Sequence, residues 1–221
     1  GNSCASRRSF LCPPIRSSAI TRLPPAQRGG AETAARAGAD AVVLCSLEKA
    51  RQLTTKPVTV AAFAGPSPQY PNTDPGYYTN YFGSDSTTST PAGESHGRLV
   101  ARTAEEMAGI GPEDLDLAEV YDLSANLELD WMEEMGICAP GEAERLLRDG
   151  ATAIGGRIPI NPSGGVSCYG ESIPAQALVQ VCDMVWQLRG EAGPRQVEGA
   201  KLAMSINRGL GGNTSAVVLK R

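Results

Sequence analysis

The sequence holds a single histidine, His96, in 221 residues, and none of its six cysteines forms a Cys-x-x-Cys pair. Zinc centres are assembled from closely spaced Cys and His, so this scarcity argues against a metal site. Cys4, Cys12, Cys45, Cys138, Cys168 and Cys182 are instead expected to be thiols of a reducing, cytoplasmic compartment, with no disulfides. No stretch reaches the roughly 18 continuous apolar residues of a membrane-spanning helix. Basic residues are outnumbered, 20 against 24 acids, for a net charge of −4. Nucleic-acid binding rests on clustered Lys and Arg, so nucleic acid is not an expected partner. Neither a phosphate-binding G-x-x-x-x-G-K-[ST] nor a dinucleotide-binding G-x-G-x-x-G occurs, and no bound cofactor is expected.

What is present is 41% hydrophobic and 20% charged, ordinary for a folded soluble protein. Residues 1–38 stand apart: Arg7, Arg8, Arg16, Arg22 and Arg28 come with Ser and Pro but no acid until Glu32. An organelle-targeting leader and a truncated start both fit this composition, and no element is assigned there. Ala41 to Cys45 reads as a short buried strand, Leu47 to Leu53 as a helix, and Val58 to Phe63 as a second strand. Gly65 to Pro91, rich in Pro, Thr and Ser and carrying Tyr70, Tyr77, Tyr78, Tyr81 and Phe82, reads as a long loop.

Beyond the loop the pattern is α/β. A helix is expected over Gly97 to Ala108, with Leu99, Val100 and Met107 inward, and His96 before it as a solvated or capping residue. A strand ends at Tyr121-Asp122, and Ser124 opens a helix carrying Leu127, Trp131, Met132 and Met135 at helical spacing until Gly136 stops it. Gly141 to Arg148 is a further short helix. Ile158 to Asn161 runs into Gly164-Gly165, and the clearest helix starts at Ser172 and Pro174, with Leu178, Val181, Cys182, Val185 and Leu188 as its apolar stripe. Two last strands, Lys201 to Ile206 and Thr214 to Leu219, flank Gly209-Leu210-Gly211-Gly212.

From about Val58 to Arg221, roughly three quarters of the chain, these landmarks resemble the C-terminal half of thiolases, especially the lipid-transfer branch of sterol-carrier-protein-x type. Ala118-Glu119-Val120-Tyr121-Asp122 resembles the strand end E-x-H-D-C-F. Gly150 to Gly156 followed by Ile158 to Gly165 resembles the G-G-x-x-P-x-N-x-x-G-G passage. Gly170-Glu171-Ser172 stands where that family has G-H-P, and Gly209 to Gly212 resembles the last glycine turn. The resemblance implies a mixed sheet covered by helices, with residues 39–56 a remnant of the first half and 57–221 the second. It implies a substrate, an acyl-CoA or sterol-CoA thioester, in which CoA is the only nucleotide. It also implies a homodimer, or a hetero-oligomer with a small zinc-ribbon and OB-fold accessory protein.

Thiolases use a Cys nucleophile and histidines that activate it and polarise the thioester. Here Tyr121 stands at one histidine position, Glu171 at the other, and Gly209 at the position of the glycine-turn cysteine, while Cys168 matches no catalytic position. The resemblance makes Tyr121 and Glu171 the candidate catalytic pair, facing one another across one pocket. It makes Asp122, Asn161, Gly164, Gly165, Gly170, Gly211 and Gly212 the candidate substrate-binding residues. The steroid side-chain aldolases of this branch share the Tyr-Asp of Tyr121-Asp122, but carry a second tyrosine where this chain has Glu171. Three readings stay open: an enzyme on CoA thioesters, by acyl transfer or by retro-aldol cleavage of a β-hydroxyacyl-CoA; a module that binds a CoA-linked lipid without turnover; or a non-catalytic partner subunit or truncated remnant.

Overall fold

The computed structural model describes residues 10–12 by their backbone, and 38–65, 95–172, 175–209 and 213–221 with side chains. The strands are β1 (Phe10–Cys12), β2 (Val43–Cys45), β3 (Val58–Ala64), β4 (Leu117–Val120), β5 (Leu202–Arg208) and β6 (Thr214–Lys220). The helices are α1 (Leu47–Leu53), α2 (His96–Ala108), α3 (Ala125–Glu134), α4 (Ala143–Arg148), α5 (Gly165–Tyr169) and α6 (Ala175–Arg189), with one-turn 3-10 segments at Pro112–Asp114 and Gly193–Arg195.

The strands make one mixed sheet in the order β2-β1-β3-β6-β5-β4. Among the described strands only β4 and β5 pair in parallel, and the other neighbours are antiparallel. Residues 1–38 carry no strand pattern, yet Phe10–Cys12 bridges β2 to β3, so the chain around residue 40 is continuous with this sheet.

Side chains alternate across a strand, and here the alternation feeds two separate cores. Ala118, Val120, Met204, Ile206, Ala216 and Val218 face α2 and α3. Leu117, Ala203 and Leu219 face the other way, onto Val181, Met184, Val185 and Leu188 of α6. The result is an α/β architecture of helices on both faces of a mixed sheet, as the sequence predicts.

Local chemistry sets the helix ends. Ser95 caps α2 by accepting the Arg98 amide, and Gly109, at φ 68°, closes it with bonds to the Glu105 and Glu106 carbonyls. Four expectations need correction. The strand expected to be buried at residues 41–45 is exposed, because β2 is the outermost strand of the sheet order, with Val43 40% and Leu44 56% exposed. Met107 is 58% exposed: it continues the spacing of Val100 and Ala104, but Ala104 is the last buried residue of α2. Leu178 is also exposed, one turn upstream of Val181, the first α6 residue in the second core. His96 is buried, because a Cβ on Gly97 would meet the Trp131 ring at 2.9 Å, and this close crossing carries the first turn of α2 inward.

Glu105 on α2 has a buried Oε1 that receives no hydrogen bond among the described residues. Burial raises its carboxyl from an ordinary 4.5 to about 7, helped by Glu113 and Glu106 and opposed by Arg98. Between those two values the folded chain holds a proton that the unfolded chain releases, so stability falls as pH rises from about 4.5 to about 7. Glu105→Gln should flatten that slope, and denaturant titrations at pH 5 and pH 8 read the difference directly.

Candidate functional site

The candidate residues converge because β4 and the passage from Pro159 to Glu171 are fastened together residue by residue. The Ala118 amide donates to the Pro159 carbonyl at 3.0 Å, and the Asn161 amide donates to the Ala118 carbonyl at 2.8 Å. Glu119 accepts both the amide and the hydroxyl of Ser163, at 3.1 and 2.6 Å. The Val120 amide donates to Asn161 Oδ1 at 2.7 Å. The Tyr121 hydroxyl donates to Glu171 Oε1. Asp122 accepts the Val166 and Ser167 amides at 2.6 and 3.3 Å. Successive residues of one strand therefore hold the passage in a fixed register.

Tyr121 is placed with particular care. Its amide donates to the Ile206 carbonyl, its carbonyl accepts Trp131 Nε1 at 2.8 Å, and the preceding Val120 carbonyl accepts Gln180 Nε2 at 2.8 Å. Asn207 in turn donates to Gln180 Oε1. Backbone fixed by these buried side chains leaves the phenol one direction to point, towards Glu171. Tyr121 is 2% exposed and Glu171 9%.

The turn residues are chosen for conformation. Asn161 adopts φ 48°, a left-handed state that asparagine tolerates better than most residues. Its amide group is committed to Val120 and, at 3.4 Å, to Glu128. Gly164, Gly165 and Gly170 have φ of 95°, 69° and 88°. At Gly165 a Cβ would lie 2.3 Å from Asp122 Oδ2, so only glycine lets α5 sit on that carboxylate. Burial raises the Asp122 pKa, while the donors from Ser167 and Val166 restrain it. Burial and the neighbouring Asp122 likewise push Glu128 up.

Of the expected site residues, Tyr121 and Glu171 are in contact, and Asp122, Asn161, Gly164, Gly165 and Gly170 surround them along the passage. The Gly209 amide closes its turn on the Asn213 carbonyl at 2.7 Å, while Gly211 and Gly212 lie outside the described residues. Cys168 is exposed on α5, its side chain against Gly164. Among the described residues no group of three or more His, Cys, Asp or Glu is placed to hold a metal. Sequence reading passed over Glu119, Gln180 and Asn207. The available signals were an acid inside an apolar strand and a glutamine inside an apolar helix.

Residues 83–221 match the thiolase C-terminal domain-like family. The chain belongs to that family. It is 41% identical over 180 residues, 81% of this chain and 44% of the other, to an acetyl-CoA acetyltransferase of Methanothermobacter thermautotrophicus. It is 45% identical over 112 residues, 51% of this chain and 20% of the other, to sterol carrier protein 2 of Rattus norvegicus. Among solved structures it matches the Ltp2-ChsH2(DUF35) aldolase with a TM-score of 0.66 and 30% identity, over 81% of this chain and 43% of that one. The chain thus spans less than half the length of these relatives. The family's C-terminal domain here runs through β4, the gripped passage and the closing β5–β6 pair. Among the described residues no helix is long and apolar enough to cross a membrane.

The grip on α5 is directly testable. Gly165→Ala combines a left-handed backbone with a steric collision on a hydrogen-bonded carboxylate, and should cost about 2–4 kcal/mol of unfolding free energy, measured by denaturant titration. Gly150→Ala, also at positive φ but with open space around it, should cost less.

Proposed function

We propose that this chain acts on CoA thioesters as the C-terminal, thiolase-type part of its protein, and that the Tyr121–Glu171 pair performs proton transfer for retro-aldol cleavage of a β-hydroxyacyl-CoA. The observation that carries this is the hydrogen bond from the Tyr121 phenol to the Glu171 carboxylate, made at the two positions where the thiolase motifs have histidine. Thiolysis asks imidazoles to activate a thiol. A phenol joined to a carboxylate suits a hydroxyl substrate instead, because it offers a relay ending in a base.

In this scheme Tyr121 takes the proton of the β-hydroxyl as its own proton passes to Glu171. The hydroxyl oxygen becomes a carbonyl, the bond between the α and β carbons breaks, and its electron pair forms the thioester enolate. The enolate carbon then takes up the proton the relay holds, from Tyr121 as Glu171 returns its own to the phenol, leaving an aldehyde or ketone and a shortened acyl-CoA. No cysteine enters the balance, and CoA takes part only as a portion of the substrate. Likeness to an aldolase solved as a DUF35 complex supports this choice over acyl transfer, and supports a DUF35-type accessory subunit of zinc-ribbon and OB-fold chemistry as the partner.

Tyr121→Phe and Glu171→Gln in the intact protein should each lower cleavage of a β-hydroxyacyl-CoA by about 10²–10⁴-fold, the usual worth of a placed acid or base. Circular dichroism should stay that of the parent. Parental turnover in both variants contradicts the assignment. Thioester affinity with no turnover in the parent protein would favour the reading as a binding module.

A further inference from the structure

Behind the gripped passage, on the α6 side of the sheet, lies a second polar group that the proposed reaction does not touch. Glu119 is fully buried, and both of its oxygens face Ser163, whose Oγ also accepts the Gly165 amide at 3.0 Å. One side chain thereby fixes the turn that delivers Gly164, Gly165 and α5 to Asp122. From α6, Asp183 faces the same region; it is buried and paired to Arg195 at 2.7 Å, and Arg195 also donates to the Pro162 carbonyl at the start of that turn. From α5, the buried Tyr169 hydroxyl receives and gives no hydrogen bond among the described residues.

We propose that Glu119 is a positioning residue of the site, acting as a neutral carboxylic acid that locks the Ser163 turn. A neutral acid fits the surroundings. Arg195 is already matched by Asp183, so a second negative charge would stand buried without a partner. Burial first, then Asp183 and Asp122, drive the Glu119 carboxyl well above its usual range, against the two bonds from Ser163. A protonated carboxyl keeps both contacts: one oxygen still accepts the Ser163 amide, and at the other the acid's own proton replaces the serine's, so that Oγ accepts from Glu119 where it would donate to a carboxylate. Glutamine presents the same acceptor and donor; alanine presents neither.

This inference rests on the reading of Tyr121–Glu171 as reactive only for its kinetic arm. In the intact protein, Glu119→Ala should lower kcat on a β-hydroxyacyl-CoA by about a hundredfold, the cost of misplacing a site by about 1 Å. KM should change little, and Glu119→Gln should hold kcat within a few-fold of the parent. Activity of the parent should fall as rising pH ionises the buried acid, and Glu119→Gln should lack that limb. The structural arm is amide hydrogen exchange across residues 161–171, which needs no turnover: faster in Glu119→Ala, parental in Glu119→Gln. If Glu119→Ala does not fold, Ser163→Ala removes the same grip from the loop side, with the same exchange and kcat losses expected. Equal loss in Glu119→Gln and Glu119→Ala, or parental exchange in both the Glu119→Ala and Ser163→Ala proteins, overturns the proposal. Faster exchange with unchanged Tyr121→Phe kinetics would fault the catalytic pair and leave the role of Glu119 standing.

Discussion

Everything at the site depends on how β4 holds the passage that follows Ile158. β4 pairs with β5 on one side, so its other edge presents amides and carbonyls that need partners. Ile160 makes only an isolated bridge to Ala118 before the chain turns at Asn161. From there side chains take over from the ladder: Asn161 satisfies the Val120 amide, Glu119 holds Ser163, and Asp122 takes the first amides of α5. The strand end thus aims the Tyr121 hydroxyl while the passage returns Glu171 to meet it.

This arrangement concentrates buried polar groups between two apolar cores. Gln176, Gln180, Asp183 and Gln187 of α6 are buried, spaced about one turn apart along the helix that also supplies the second core. Gln180 braces the Val120 carbonyl, Asp183 holds Arg195, and Gln187 accepts the Val197 amide. Such groups are costly without partners, and here most are spent on fixing strands and turns next to the site. The Arg208 guanidinium lies over the Trp131 ring at 5.0 Å, joining the end of β5 to the helix whose indole holds the Tyr121 carbonyl.

Much of this was legible in the residues. Strand and helix positions followed from periodicity, and the Tyr121–Glu171 contact followed from two motifs lying 50 residues apart in the chain. What escaped were features that depend on depth. Glu119 and Gln180 break otherwise apolar patterns and read locally as surface positions, because sequence carries no measure of which partner lies behind a strand. Met107 and Leu178 read as core because helical spacing does not say where packing ends. The inward line of α2 starts at Gly97, whose lack of a side chain signals close approach only once the neighbouring Trp131 is known.

The most direct test of the central claim is the dependence of β-hydroxyacyl-CoA cleavage on free CoA, followed by identifying both products by mass spectrometry. Cleavage that proceeds without free CoA and yields an aldehyde or ketone with a shortened acyl-CoA is what a Tyr121–Glu171 relay predicts. No cleavage of the β-hydroxyacyl-CoA, together with cleavage of the matching β-ketoacyl-CoA that requires free CoA and yields two thioesters, would place the chemistry with thiolysis and contradict it.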